Sequence, residues 1–272
     1  LLKAPDEAPG DRIRHLQASA KSFGVRITLA TGRTLKGAQN TLCALGDLGA
    51  VPIILYNGSL VIEPGLGKVV AHRQIEVEAT NKVVSIAKSC GAEIFIYSVD
   101  VPTGDPGVGS WETVWYAGDG SASGREYNGM PTVPVTTELL NVAATAMLIL
   151  LPTTAEQSLI KAALQMVSGI SITSSGGRYI EVRPAGSSKA AAMESLCLSL
   201  QLQQSDVLAV GDNDNDVELL EWAGIGVAVK GASVAASAAS DYISRFGAER
   251  AAIEVLDLVR RAKRLHKTKR KI

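Results

Sequence analysis

Aromatic residues make up only 4% of the 272-residue chain, and cysteine occurs three times, at Cys43, Cys90 and Cys197. An odd number of widely separated cysteines, each inside a helical pattern, argues against a disulfide framework and against the paired ligand spacing of a zinc site. No apolar run approaches the ~18 to 20 residues that a membrane span requires. Lys3, Asp6 and Glu7 interrupt the opening stretch, so no signal peptide is read either. A cytoplasmic protein with no membrane partner is the expectation, and the formal glycosylation acceptor Asn57-Gly58-Ser59 has no access to that chemistry. The glycines of 65–67 and 104–109 lack both the dinucleotide spacing and the Lys-Ser/Thr ending of a P-loop. Net charge is zero, although eight Lys/Arg crowd between Arg260 and Lys271. No aromatic is interleaved with them, so this tail reads as a solvated helix end and nucleic acid is not an expected partner.

What is present is an aliphatic chain, 46% hydrophobic, long enough for one large domain or two modest ones. Helix alternates with short apolar strand at the start: a helix over 11–23 stopped by Gly24, a strand at 25–29, a helix over 34–48 and a strand at 53–56. That alternation predicts a parallel sheet. From about Gly65 the texture changes to strands at 69–75, 94–98, 112–117, 145–151, 169–173 and 179–183, with helices at 78–90 and 154–167. The short Gly turn at 174–177 implies antiparallel pairing. After Pro184-Ala185-Gly186 the alternating pattern returns, with Ser187 or Ser188 capping a helix. The expected fold is therefore α/β, a Rossmann-like parallel-sheet core with an inserted α+β domain. Residues 1–64 and 186–272 form the core and 65–185 the insert.

The densest chemistry follows the apolar run 206–210, at Gly211-Asp212-Asn213-Asp214-Asn215-Asp216. This places acidic residues at the carboxyl end of a strand, where open α/β sheets bind ligands. Helix capping needs one or two carboxylates. A larger cluster invites a hard cation such as Mg²⁺, held with substrate phosphate oxygens. A calcium loop of the EF-hand kind is excluded, because Val217 stands where Gly is needed and Ala223 where Glu is needed. Thr31-Gly32-Arg33, also at a strand end, offers a hydroxyl, an N–H and a cation to an anionic oxygen, or else is an ordinary strand-to-helix turn. Lys189 lies in the first turn of a helix, where a cation opposes the macrodipole and calls for a compensating anion.

Taken in order, these residues resemble the haloacid dehalogenase superfamily, in its Cof-type sugar-phosphatase branch (subfamily IIB). Ala30-Thr31-Gly32-Arg33 matches the second motif, Asn57-Gly58 the Asn-Gly turn, Lys189 the third motif and 211–216 the fourth. The resemblance implies a Mg²⁺-dependent phosphatase acting on a small phosphorylated metabolite through an aspartyl phosphate. Thr31, Gly32 and Lys189 would then be catalytic, and Asp212, Asn215 and Asp216 would serve the metal. Arg33, Asn57 and Gly58 would face substrate, and the insert would act as a cap. Arg178 and Arg183 become leaving-group contacts or remain solvated residues on an antiparallel strand. The family opens with Asp-x-Asp-Gly-Thr, whose first Asp is the nucleophile, and that motif would just have ended at Leu1. Truncation before Leu1 is the expected account, with the chain as it stands inactive. A phospholigand-binding protein without the nucleophile is the alternative, and a phosphomutase a third.

Overall fold

The computed structural model describes residues 16–45, 51–63, 68–100, 111–118, 130–136, 140–174 and 177–269. The expected helix start at 11–15, the loops at 101–110 and 119–129 and the turn at 175–176 lie outside them.

The chain enters through α1 (Leu16–Lys21) and turns at Gly24, whose φ of 72° is the left-handed stop expected after a helix. Among the described residues, 25–30 form no strand and make a single parallel bridge, Ala30 to Ile54. Helix α2 (Leu35–Leu45) leads to β1 (Ile53–Leu55), a tight turn over Tyr56–Gly58, then β2 (Leu60–Glu63) and β3 (Lys68–His72). These three strands form an antiparallel sheet in sequence order. β2 was not anticipated, because its residues continue one apolar run with β1 and only the backbone reversal at Asn57-Gly58 separates them. β3 pairs with β2, so the boundary expected near Gly65 falls inside this hairpin's connection.

Next come α3 (Val77–Ser89), β4 (Glu93–Val99), β5 (Glu112–Ala117), β6 (Thr132–Pro134), β7 (Ala146–Leu150), α4 (Gln157–Gln165), β8 (Ile170–Ser174) and β9 (Tyr179–Pro184). They build a six-stranded sheet in the order β6-β5-β4-β7-β9-β8, antiparallel except for the β5–β6 pair. Every residue of β4 is buried. The reason is its alternation: Ile94 and Ile96 pack with Val83 of α3 and Ile160 of α4, whereas Phe95 and Tyr97 pack with Leu55, Leu60 and Ile62 of the first hairpin. Apolar contact on both faces is what an uninterrupted apolar strand requires.

The last part holds α5 (Lys189–Ser199), β10 (Leu208–Gly211), α6 (Val217–Trp222), β11 (Ile225–Ala228), α7 (Val234–Ala238), β12 (Tyr242–Ile243) and α8 (Ala248–Lys269). Its three strands are parallel, as the helix–strand alternation predicts. The molecule is thus α/β, with one six-stranded mixed sheet and two three-stranded ones. Among the described residues no helix is long and apolar enough to cross a membrane.

Candidate active site

Two loops are laced together at one end of the segment 25–30. Ile54 N–H donates to Leu29 O at 2.8 Å and Thr31 N–H to Ile54 O at 2.9 Å, so Thr31 arrives at the end of a parallel track beside β1. Asn57 N–H then donates to Thr31 O at 3.0 Å and Tyr56 N–H to Arg33 O at 3.1 Å. Thr31 is buried, and its Oγ1 accepts from Arg33 N–H at 3.2 Å. The turn needs left-handed backbone, with φ of 52° at Asn57 and 99° at Gly58. A Cβ on Gly58 would lie 2.1 Å from Ser188 O, so no side chain fits. The Asn-Gly pair therefore follows from local geometry, since Asn tolerates the left-handed region and Gly alone permits the close approach.

Ser188 caps α5, its Oγ accepting from Ala191 N–H at 3.1 Å. That cap places Lys189 on the first turn, pointing inward, with Nζ 2.6 Å from Asp216 Oδ1 and side chains only 6% and 11% exposed. The compensating anion that Lys189 called for is thus Asp216. The other oxygen of Asp216 accepts from Asp212 N–H at 3.0 Å and Asn213 N–H at 3.2 Å, closing the acidic turn on itself. Burial pushes the Asp216 carboxyl up, but the Lys189 charge and hydrogen bond, joined by the two N–H groups, outweigh it and leave the acid below its ordinary range. Asp216 therefore both closes the acidic turn and answers the Lys189 charge.

A single amide joins three parts of the chain. Asn215 Nδ2 donates to Asn57 Oδ1 at 3.1 Å, and Asn57 Nδ2 donates to Glu181 Oε2 on β9 at 3.1 Å. Around this junction, Thr31, Gly32, Asn57, Lys189, Asp212 and Asn215 share the wall of one cavity of about 1050 Å³. A second cavity of about 150 Å³ lies between Arg33 and Tyr56 on one side and Glu181 and Arg183 on the other. Burial lowers the pKa of the Arg33 guanidinium. Arg183 Nη1 donates to Ser187 O at 3.1 Å, while its Nε is buried with no partner. Arg178 is not brought here: it is exposed, precedes β9, and donates to Pro152 O at 3.1 Å.

Among the described residues no group of three or more His, Cys, Asp or Glu side chains gathers as a metal site. Asp212 is half-buried in the shared wall, and Asp216 already uses both oxygens. Since Mg²⁺ is commonly held by one or two carboxylates with phosphate oxygens and water, these residues fit one side of such a site. Sequence reasoning missed two carboxylates. Glu181 could have been found from its alternation with Arg183 on one strand face. Glu112 carries no signal, yet its Oε1 and Oε2 accept from Leu35 N–H at 2.6 Å and Lys36 N–H at 2.8 Å, and Tyr56 OH donates to it at 2.5 Å.

The profile of a family described as haloacid dehalogenase-like hydrolase matches residues 1–256. The chain belongs to that family. A haloacid dehalogenase-like hydrolase from Bacteroides thetaiotaomicron shares the fold with a TM-score of 0.76 at 21% identity, covering 92% of each chain. The subclass IIB sugar phosphatase BT4131, of the same superfamily, gives a TM-score of 0.67 at 18% identity over 90% of this chain and 89% of its own. In sequence, a phosphoglycolate phosphatase of Methanoculleus marisnigri is 44% identical over 71 residues, which are 26% of this chain and 30% of that protein. The Bacillus subtilis protein YxeH, whose name is that of an inferred phosphatase, is 25% identical over 228 residues, 82% of this chain and 81% of its own.

Proposed function

We propose that the chain is the larger part of a Mg²⁺-dependent phosphatase that hydrolyses a small phosphorylated metabolite through an aspartyl phosphate. The observation that carries this reading is the convergence of Thr31-Gly32, Asn57, the Lys189–Asp216 pair and Asp212 on one cavity, from segments far apart in sequence. The nucleophile would belong to an Asp-x-Asp-Gly-Thr segment ahead of Leu1, since no such segment occurs within residues 1–272. Phosphoryl transfer needs little covalent help from the protein beyond the nucleophile; positioning and charge neutralisation lower the barrier. Thr31 Oγ1 and Gly32 N–H would hold phosphoryl oxygens, and Lys189 would balance the charge of phosphate and nucleophile. Asp212 would hold Mg²⁺ together with the carboxylates of that segment, with Asn215 and Asp216 fixing the loop around it; the ion would supply charge neutralisation at the phosphoryl group.

The six-stranded sheet with α3 and α4 would be the cap, entered after β3 and left after β9. Its two crossings touch, Arg73 Nη1 donating to Gly186 O at 2.8 Å, which suits a hinge. Arg183 and Glu181, facing the smaller cavity, would meet the leaving group, and Arg178 would not. Supporting this reading, YxeH, matched over 82% of this chain, carries a phosphatase name, and the sugar phosphatase BT4131 shares the fold over 90% of it.

The test is p-nitrophenyl phosphate turnover with Mg²⁺. The 272-residue chain should be inactive, and the chain extended by Asp-x-Asp-Gly-Thr before Leu1 active. Equal turnover without the extension would remove the nucleophile assignment; an extended protein that binds phosphate without turnover would make it a phospholigand-binding protein. In the extended enzyme, Asp212→Ala should abolish Mg²⁺-dependent turnover and exposed Asp214→Ala should cost far less. Equal losses would mean a diffuse acidic patch.

A further inference from the structure

The smaller cavity is limited in size and uneven in charge. Tyr97, Ala146, Glu181 and Arg183 line it from the six-stranded sheet, and Arg33 lines it from the loop after Thr31. Strand register explains the hollow. Ala146 on β7 pairs with Tyr97 on β4, and one step along from the Met147–Val182 pair it stands opposite Arg183 on β9. A methyl group between two long cross-strand neighbours leaves space above itself. Two guanidiniums, Arg33 and Arg183, share this space with one carboxylate, Glu181, which already accepts from Asn57 Nδ2 at 3.1 Å. Among the described residues Arg183 makes one hydrogen bond, from Nη1 to Ser187 O at 3.1 Å, and a guanidinium has further donors to give. Burial lowers the pKa of Arg33, so its charge is short of water and an anion opposite it would make up the shortfall.

We propose that the smaller cavity selects the monophosphate ester of a short hydroxycarboxylic acid, its carboxylate held by Arg183 and Arg33; this substrate class rests on the phosphatase function proposed above. Gly32, Arg33, Asn57 and Glu181 line both cavities, so an ester with its phosphate against Thr31-Gly32 extends its remainder into the smaller one. The volume there is about 150 Å³, which holds a group of about six heavy atoms, the size of a hydroxy acid of about three carbons. A guanidinium grips both oxygens of a carboxylate, and a neighbouring hydroxyl of the acid can donate to Glu181. Larger leaving groups project past the cavity into the open cleft and gain nothing from the two arginines. Arg183 is then the specificity-determining residue, and Ala146 supplies the room.

A matched pair of esters tests this: 3-phosphoglycerate and glycerol 3-phosphate, used as racemates, differ only in a carboxylate against a hydroxymethyl group. In the protein extended by Asp-x-Asp-Gly-Thr, kcat/KM for the acid should exceed that for the alcohol by at least about tenfold. Arg183→Met should bring the ratio to within about threefold of one, and Arg183→Lys should restore part of it, since a point cation attracts a carboxylate without gripping both oxygens. The ratio is immune to partial misfolding, which lowers both rates alike. Ala146→Leu fills the hollow without changing charge and should lower kcat/KM for both esters by at least about tenfold. A ratio near one, a ratio unchanged by Arg183→Met, or no loss in Ala146→Leu overturns the proposal. Turnover of p-nitrophenyl phosphate without a preference for the acid overturns the substrate class alone. If the extended protein turns over no ester, the phosphatase reading fails, and calorimetric binding of the same pair to the 272-residue chain with Mg²⁺ decides the cavity's role. Binding of the acid at least about tenfold tighter, lost in Arg183→Met, upholds the carboxylate seat; equal binding or none overturns it.

Discussion

Replacing Glu112 should reveal how firmly the six-stranded sheet is tied to the phosphate-binding loop. Glu112 is a β5 residue, yet it satisfies the first two N–H groups of α2, while Thr34 Oγ1 accepts from Gly37 N–H at 2.8 Å. The N-terminal turn of α2 is thus capped from outside as well as from within. Glu112→Ala leaves two helix N–H groups to find water, at ~1 kcal/mol each, and the buried Tyr56 hydroxyl without its acceptor, at ~1 to 3 kcal/mol. The total is ~3 to 5 kcal/mol, a large share of the stability of an ordinary domain. Glu112→Gln keeps one acceptor and should lose only ~1 to 2 kcal/mol. Burial pushes the Glu112 carboxyl up despite its hydrogen bonds. With the folded pKa raised, the stability this group contributes is full below the unfolded value of ~4.3 and is lost as pH rises through the folded pKa. The gap between wild type and Glu112→Gln should therefore be wider at pH 4 than at pH 8. Urea unfolding at both pH values measures it. A Glu112→Ala variant within ~0.5 kcal/mol of wild type would refute the capping argument.

Lys189→Met strands Asp216, but two backbone N–H groups still hold that carboxylate. The loss should fall at the low end of the ~3 to 5 kcal/mol typical of a broken buried pair, and Lys189→Met/Asp216→Asn should recover part of it in a double-mutant cycle. Gly58→Ala combines a left-handed φ with a clash on Ser188 O and should cost more than ~2 kcal/mol in thermal or chemical unfolding. Glu254 on α8 is held down to about 2, first by the Ser244 hydroxyl at 2.6 Å and also by Arg245 and Tyr242. Its stabilisation is present above ~4.3 and lost as pH falls towards 2, so Glu254→Gln should flatten the acid limb of the stability curve relative to wild type.

The motifs were legible because each is local: a strand end, a turn and a helix start announce themselves within a few residues. Asp212 to Asp216 and Lys189 drew attention from their neighbours alone, whereas Thr31-Gly32 was also readable as an ordinary turn and Asn57-Gly58 gained its role only from the order of the whole set. The partner of Lys189 was not legible, since Asp216 is 27 positions away and a helix-start lysine asks for an anion without naming it. The strand expected at 25–29 has the right residues but lacks a ladder, because strand formation is a property of pairs and, among the described residues, the one bridge to this segment joins Ala30 to Ile54. Glu112 and Glu181 stayed hidden for the same reason. Both act on segments more than fifty residues away; only the alternation of Glu181 with Arg183 marks either of them locally.

The amide of Asn57 has a consequence for which residues this position can hold. Its oxygen answers a donor on the acidic loop, and its nitrogen answers an acceptor on β9. Aspartate has the same shape and tolerates the same backbone, yet it would set a second carboxylate against Glu181. Leucine would remove both of these hydrogen bonds. The two sides of the cleft therefore speak through one chemically asymmetric group, and an error on either side is felt by the other.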